Sequence, residues 1–161
     1  MSTYAVLCKS FEFNRSRTLG LLDSIEQLGN AVEVLGWRPG PGRAHIAWQL
    51  MHIGVTEEIF ATERLAPHKT PAFTELWPRF RGGSTPDEII PSPAEIRQLL
   101  LDSRTHLIET LSHFGEQHLN DIPEALKQRG LTIRDVLHII SWHEAHHQGQ
   151  AHLTLNLYKN R

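Results

Sequence analysis

Two histidines four residues apart, His143 and His147 in the stretch SWHEAHHQGQAH, have the residue type and spacing best suited to chemistry in this chain. If the stretch is helical, the two imidazoles lie about 40° apart around the axis and roughly 6 Å along it, close enough to grip one ion. Stepping back from His143 by three and seven reaches Ile140 and Val136, and stepping forward from His147 reaches Gln150 and Thr154, which puts the pair on an inward stripe. A buried imidazole must be hydrogen-bonded, protonated against a partner or coordinated, because an unsatisfied buried polar group costs about 1–3 kcal/mol. His52, in WQLMHIG, has the same character, with Trp48 four residues before it and Val55 three after. If their helices are neighbours, His52, His143 and His147 supply three nitrogen ligands and leave positions open for water or substrate. That describes a catalytic metal site rather than a closed structural one. Neutral nitrogen donors suit zinc or nickel better than calcium or magnesium, which prefer oxygen. A pair at this spacing can equally be solvated or satisfied within a core; the third histidine favours the metal.

The same residues spell H-E-x-x-H with Glu144 between the histidines, the zinc-protease helix signature. The longer protease pattern needs glycine and a third ligand at positions 150 and 153, which hold Gln150 and Leu153, and no glutamate follows Glu144 as an alternative ligand. Proteolysis is therefore disfavoured. Glu144 is the candidate catalytic residue, placed to orient a reacting water or to hold an imidazole in the required tautomer; a solvated helix glutamate is the other reading. Trp48 and His45 are candidate pocket residues, although each is also readable as structural. The remaining histidines are read as lying off this face, with His68, His106, His113, His118 and His138 as surface or capping residues. Cys8 has no evident activating partner and reads as a small buried hydrophobe.

The elements that must position these groups read as helices. Leu7, Phe11, Leu22, Ile25, Gly29 and Val32 recur at helical spacing in a first helix whose end, near Gly29 and Asn30, the spacing leaves open, and Ile46, Leu50, Ile53 and Phe60 mark a second over Ala44 to Leu65. Ser92-Pro93-Ala94-Glu95 has the capping residue, N1 proline and N3 glutamate of a third helix start, ahead of Ile96, Leu100, Leu107, Leu111 and Phe114. Thr132 to Asp135 resembles a second capping box, opening a fourth helix through Val136, Leu137 and Ile140 to Leu153 and Leu157. Between the second and third helices, Ala66 to Pro91 holds five of the nine prolines and the Gly82-Gly83 pair, so it reads as a long irregular connection. The expected fold is all-α: a four-helix bundle with one long crossover, as a single domain over residues 1–161.

Sixteen Lys+Arg against eighteen Asp+Glu offer no basic excess for phosphates, which argues against nucleic acid. No apolar run is long enough to cross a bilayer, the start from Met1 to Lys9 lacks a secretory pattern, and the lone cysteine forms no internal disulfide. A cytoplasmic protein is expected. Leu99, Leu100 and Leu101 are consecutive and cannot all face one core, and Leu21 and Leu28 lie off the Leu22/Ile25 stripe, so a homodimer is expected as well.

Three stretches, WRPGPG, HIAWQLMHIG and WHEAHHQGQ, resemble the DinB-like superfamily of YfiT-type metal-dependent proteins, and the resemblance spans nearly the whole chain. It implies a four-helix bundle in which His52, His143 and His147 hold a divalent metal, commonly zinc or nickel. Gln148 stands where such a family often has arginine. The resemblance further implies an enzyme that activates a low-molecular-weight thiol cosubstrate, as S-transferases and isomerases do, or water, as hydrolases do, acting on a small-molecule substrate. The alternative is a non-enzymatic metal-binding stress-response or small-molecule-binding protein.

Overall fold

Serine and threonine caps set the starts of three of the four long helices. Ser2 accepts from the Ala5 amide at the start of α1 (Thr3–Glu26). Ser92 and Glu95 form a reciprocal capping box at α5 (Pro93–Leu111), and Thr132 and Asp135 another at α6 (Ile133–Lys159). Each box satisfies two amide donors that the helix start leaves without intrahelical partners. The remaining long helix, α3 (Ile46–Ile59), runs on into a π-helical turn at Phe60–Arg64. The computed structural model describes residues 2–161, and among these there is no strand.

The first helix is shorter than its apolar spacing suggests. Gly29 has φ +78, a left-handed conformation that glycine adopts without penalty, and it breaks the helix so that α2 (Ala31–Gly36) starts anew. Val32 consequently faces solvent, and Val34 and Leu35 are buried in its place. In the fourth helix the stripe also departs from expectation: Leu153 and Leu157 are exposed, while Ala151, Leu155 and Tyr158 enter the core. Leu99 and Leu100 are buried and Leu101 is 45% exposed; Leu21 is buried and Leu28 is 41% exposed. The apolar surplus that suggested a dimer is therefore smaller than the sequence implied.

Helix α3 packs against both α5 and α6, and α1 packs against α6. Gly54 permits the α3–α5 approach, since a Cβ there would meet Leu99 Cγ at 2.9 Å. The core is in two parts. One gathers Leu22, Ile25, Leu50, Ile53, Leu100 and Leu155 among others, and the second gathers Phe11, Ala61, Leu107, Leu111, Val136 and Ile140. Along every long helix a polar residue separates the two: Arg15 and Thr18 on α1, Glu57 on α3, Ser103 and Arg104 on α5, Glu144 on α6.

The crossover from Ala66 to Pro91 is ordered by its own contacts. It forms a short helix, α4 (Trp77–Phe80), whose Trp77 and Phe80 are buried. Arg79 grips the Asp87 carboxylate through two nitrogens, at 2.7 and 3.0 Å. His45, a candidate pocket residue by sequence, is instead the N-cap of α3. Its Nδ1 accepts from the Trp48 amide at 3.0 Å and its Nε2 lies 3.0 Å from the Asp87 carbonyl, which fastens the crossover to the helix start.

This cap makes stability pH-dependent. Burial pushes the His45 imidazole below its usual value of 6.5, outweighing the Asp87 carbonyl that favours the cation. The unfolded chain then takes up a proton as pH falls below about 6.5 while the folded chain resists it, so stability is present above that pH and lost on acidification. Asparagine caps a helix without titrating. His45→Asn is therefore expected to flatten the decline in urea-unfolding free energy between about pH 6.5 and pH 5, and equal slopes for the two proteins would contradict this role.

Candidate metal centre

His52 projects from the middle of α3, and His143 and His147 from successive turns of α6, where the two helices pack together. One ring nitrogen from each of the three comes within 4.8 Å of the others. His52 Nε2 and His143 Nε2 are 3.0 Å apart, and the His52 and His147 ring centroids are separated by 4.6 Å. The spacing argument thus holds in three dimensions, with His52 buried and the α6 pair half-buried at the edge of the core stripe.

Two of the rings are oriented by groups that leave a lone pair facing the cluster. His52 Nδ1–H donates to the Phe80 carbonyl at 2.6 Å, which leaves Nε2 unprotonated. His147 Nδ1–H donates to the Gln49 side-chain oxygen at 2.5 Å, with the same effect on its Nε2. Such partners fix the tautomer of metal-ligating histidines. Trp48 stacks on His52 with centroids 4.6 Å apart and planes 15° from parallel, and its Nε1–H donates to the Arg79 carbonyl and Ser84 Oγ. The crossover therefore holds both the ring of His52 and the indole that covers it.

Protonation favours the same chemistry. Burial, followed by repulsion from the neighbouring imidazoles, pushes His143 and His147 down to about 3. Burial also lowers His52, against the pull of the Phe80 carbonyl. All three are neutral at pH 7, as coordination requires. Neutral nitrogens facing each other at 3.0 Å call for a proton or a cation between them, and the donor set fits a borderline divalent ion.

The sequence profile of the DinB superfamily matches residues 10–151, a span that includes all three histidines. The chain belongs to the DinB superfamily. Its fold is similar to that in a crystal structure of a conserved protein from Enterococcus faecalis, with a TM-score of 0.72 and 17% identity over 100% of this chain and 99% of that one. No match is found among curated proteins. As a DinB-superfamily bundle it carries a three-histidine cluster compatible with a divalent metal.

Glu144 does not serve this DinB-superfamily cluster as the sequence suggested. One residue on from His143, its side chain points toward the bundle interior, where Oε1 accepts from Arg15 Nε at 2.7 Å and Thr18 Oγ1 at 2.8 Å, and Oε2 accepts from Arg104. It is neither at the cluster nor solvated; it is 1% exposed. Arg15 and Arg104 also engage Glu57, and each reaches a main-chain carbonyl, that of Leu100 for Arg15 and of Phe11 for Arg104. Burial alone would raise the Glu57 carboxyl, but the two guanidiniums hold it below the ordinary range. His106, read as a surface residue, instead contacts the fully buried Glu58 through Nδ1 at 2.9 Å.

Sequence reasoning missed Gln49, Arg15, Arg104 and Glu57. Gln49 was detectable in principle as a polar residue on the apolar side of α3, three residues before His52.

Removing one charge from a buried set leaves its partners uncompensated, which costs about 3–5 kcal/mol. Glu144→Gln is expected to lose stability on that scale in urea unfolding, and adding Arg15→Gln should cost less than the two single effects summed. Strict additivity with a single-variant loss under about 1 kcal/mol would refute the network.

Proposed function

We propose that this chain is a divalent-metal-dependent enzyme of the thiol S-transferase or hydrolase kind, with His52, His143 and His147 as the metal ligands and zinc or nickel as the metal. The observation that carries the reading is the convergence of three neutral imidazoles from two helices, two of them oriented by outer partners, with no fourth His, Cys, Asp or Glu in the group among the described residues. Three protein ligands with further positions open is the pattern of catalytic sites. Held there, a divalent ion supplies Lewis acidity that makes a low-molecular-weight thiol or a water nucleophilic at neutral pH.

The chain's own residues do the remaining work. Phe80 and Gln49 keep the donor lone pairs of His52 and His147 aimed inward, and Trp48 covers one face of His52 against water. Glu144 holds α6 in place through Arg15 and Arg104 and is a positioning residue in this scheme.

Elemental analysis of the purified protein is expected to find about one equivalent of zinc or nickel per chain, and close to none in the His143→Ala, His147→Ala double variant at unchanged helical content. Full metal stoichiometry in that variant would overturn the assignment. A glutathione, bacillithiol and mycothiol panel should raise the melting temperature of the metal-loaded protein only; no shift with any thiol would leave water as the nucleophile.

We also propose a homodimer, supported by Leu28 and Leu101 together with Val6, Phe13 and Val32 as exposed apolar residues. Sedimentation should show a dimer at micromolar concentration, and a monomer that persists as concentration rises would exclude it.

A further inference from the structure

A groove of about 810 Å³ runs between residues 39–44 and the C-terminal half of α6, within the roughly 300–1,000 Å³ usual for small-molecule sites. Two of its lining residues touch the histidine cluster: Trp48 is stacked on His52, and Gln49 accepts from His147. From there the groove follows α6 past Leu153 and Leu157, which are 60% and 47% exposed, opposite Pro39 and Pro41. These exposed leucines are the ones that the helical spacing assigned to the core.

Charge narrows what such a groove accepts. Arg43 is the one ionised residue in its lining, and no carboxylate lines it. Nearby Arg38 and Arg79 are engaged by Glu88 and Asp87, whereas Arg43 has no carboxylate partner among the described residues. The segment that presents it is also held in place. Gly42 makes a left-handed turn at φ +70, the Arg43 amide donates to the Gly40 carbonyl at 3.2 Å, and Arg38 donates both to the Arg43 carbonyl and to the carbonyls of Pro86 and Asp87. An exposed, unpaired guanidinium on an anchored segment beside a trough of mixed leucine, proline and amide lining matches a ligand with a carboxylate-like or phosphate-like group at one end and an apolar body.

We propose that this groove, which reaches the outer side of the histidine cluster at Trp48 and Gln49, is a binding site for a small amphipathic anion, its charged group on Arg43 and its apolar body against Leu153 and Leu157. The proposal goes beyond the metal-centre reading by adding a ligand class at its flank.

The probe is 8-anilinonaphthalene-1-sulfonate, an apolar dye with one sulfonate, titrated by fluorescence. Saturable binding is expected, weakened about tenfold by Arg43→Gln, which corresponds to about 1.4 kcal/mol. Arg17→Gln, in the separate polar groove between α1 and α6, should leave binding unchanged. The uncharged dye N-phenyl-1-naphthylamine should bind wild type and Arg43→Gln alike, and Leu153→Asp should weaken both dyes. Loading with cobalt(II) should quench the bound sulfonate dye. Absence of saturable binding, equal affinity for wild type and Arg43→Gln, or no quenching by cobalt would each overturn the proposal. Repeating the titration on the His143→Ala, His147→Ala variant separates the two readings. Dye binding that persists there, in a protein whose metal content never depended on those histidines, would leave the groove standing and the metal centre refuted. A normal metal content with an Arg43-independent dye would do the reverse.

Discussion

Four charges at one level of the bundle, Arg15, Glu57, Arg104 and Glu144, join all four long helices. Two cations and two anions balance, and the remaining polar atoms are taken up by Thr18, Ser103 and two main-chain carbonyls. Apolar residues of similar volume are often as stable as a buried ion set, so such a layer contributes more to register than to net stability. Leucines can slide past one another by a turn at modest cost, whereas a displaced carboxylate leaves a guanidinium without a partner in a dry interior. Glu57 and Glu144 share both arginines, and this sets the height of α3 against α6.

The histidine cluster depends on that height. His52 stands five residues before Glu57, and His143 immediately before Glu144. Once the two glutamates are level, the imidazoles on the adjoining flank of the same two helices meet at 3.0 Å. The crossover completes the arrangement from outside the bundle, with α4 supplying the carbonyl that orients His52 and the Arg79–Asp87 clamp holding that segment closed. The connection that looked irregular in sequence therefore works as part of the shell around the histidine cluster.

What the sequence disclosed and what it concealed follow from how local each signal is. Capping boxes and the four-residue histidine spacing are complete within a few positions, so the starts of α5 and α6 and the inward pair were legible. His52 was legible because a histidine inside an apolar run must be satisfied somehow. The ion layer was not, since Arg15, Glu57 and Arg104 each look like ordinary solvated helix residues until three other helices are in place. Glu144 misled for a related reason. It directly follows His143 of the cluster, but one residue along a helix is about 100° around it, which turned the carboxylate away from the imidazoles and into the core. The Gly29-Asn30 pair marked where the first helix could end, but apolar spacing ran through it to Val32, and only the left-handed φ of Gly29 settles the break.

The two oriented imidazoles differ in how they can change over generations. The acceptor for His52 is a main-chain oxygen, which every residue type at position 80 would retain, so point substitution cannot delete it. The acceptor for His147 is the Gln49 amide, and a single base change converts glutamine to glutamate. A carboxylate there would make His147 a more basic donor without moving a helix. One side of the cluster's surround is thus fixed by the backbone, and the other remains adjustable by ordinary mutation, which lets a lineage retune the basicity of His147 while keeping the cluster's shape.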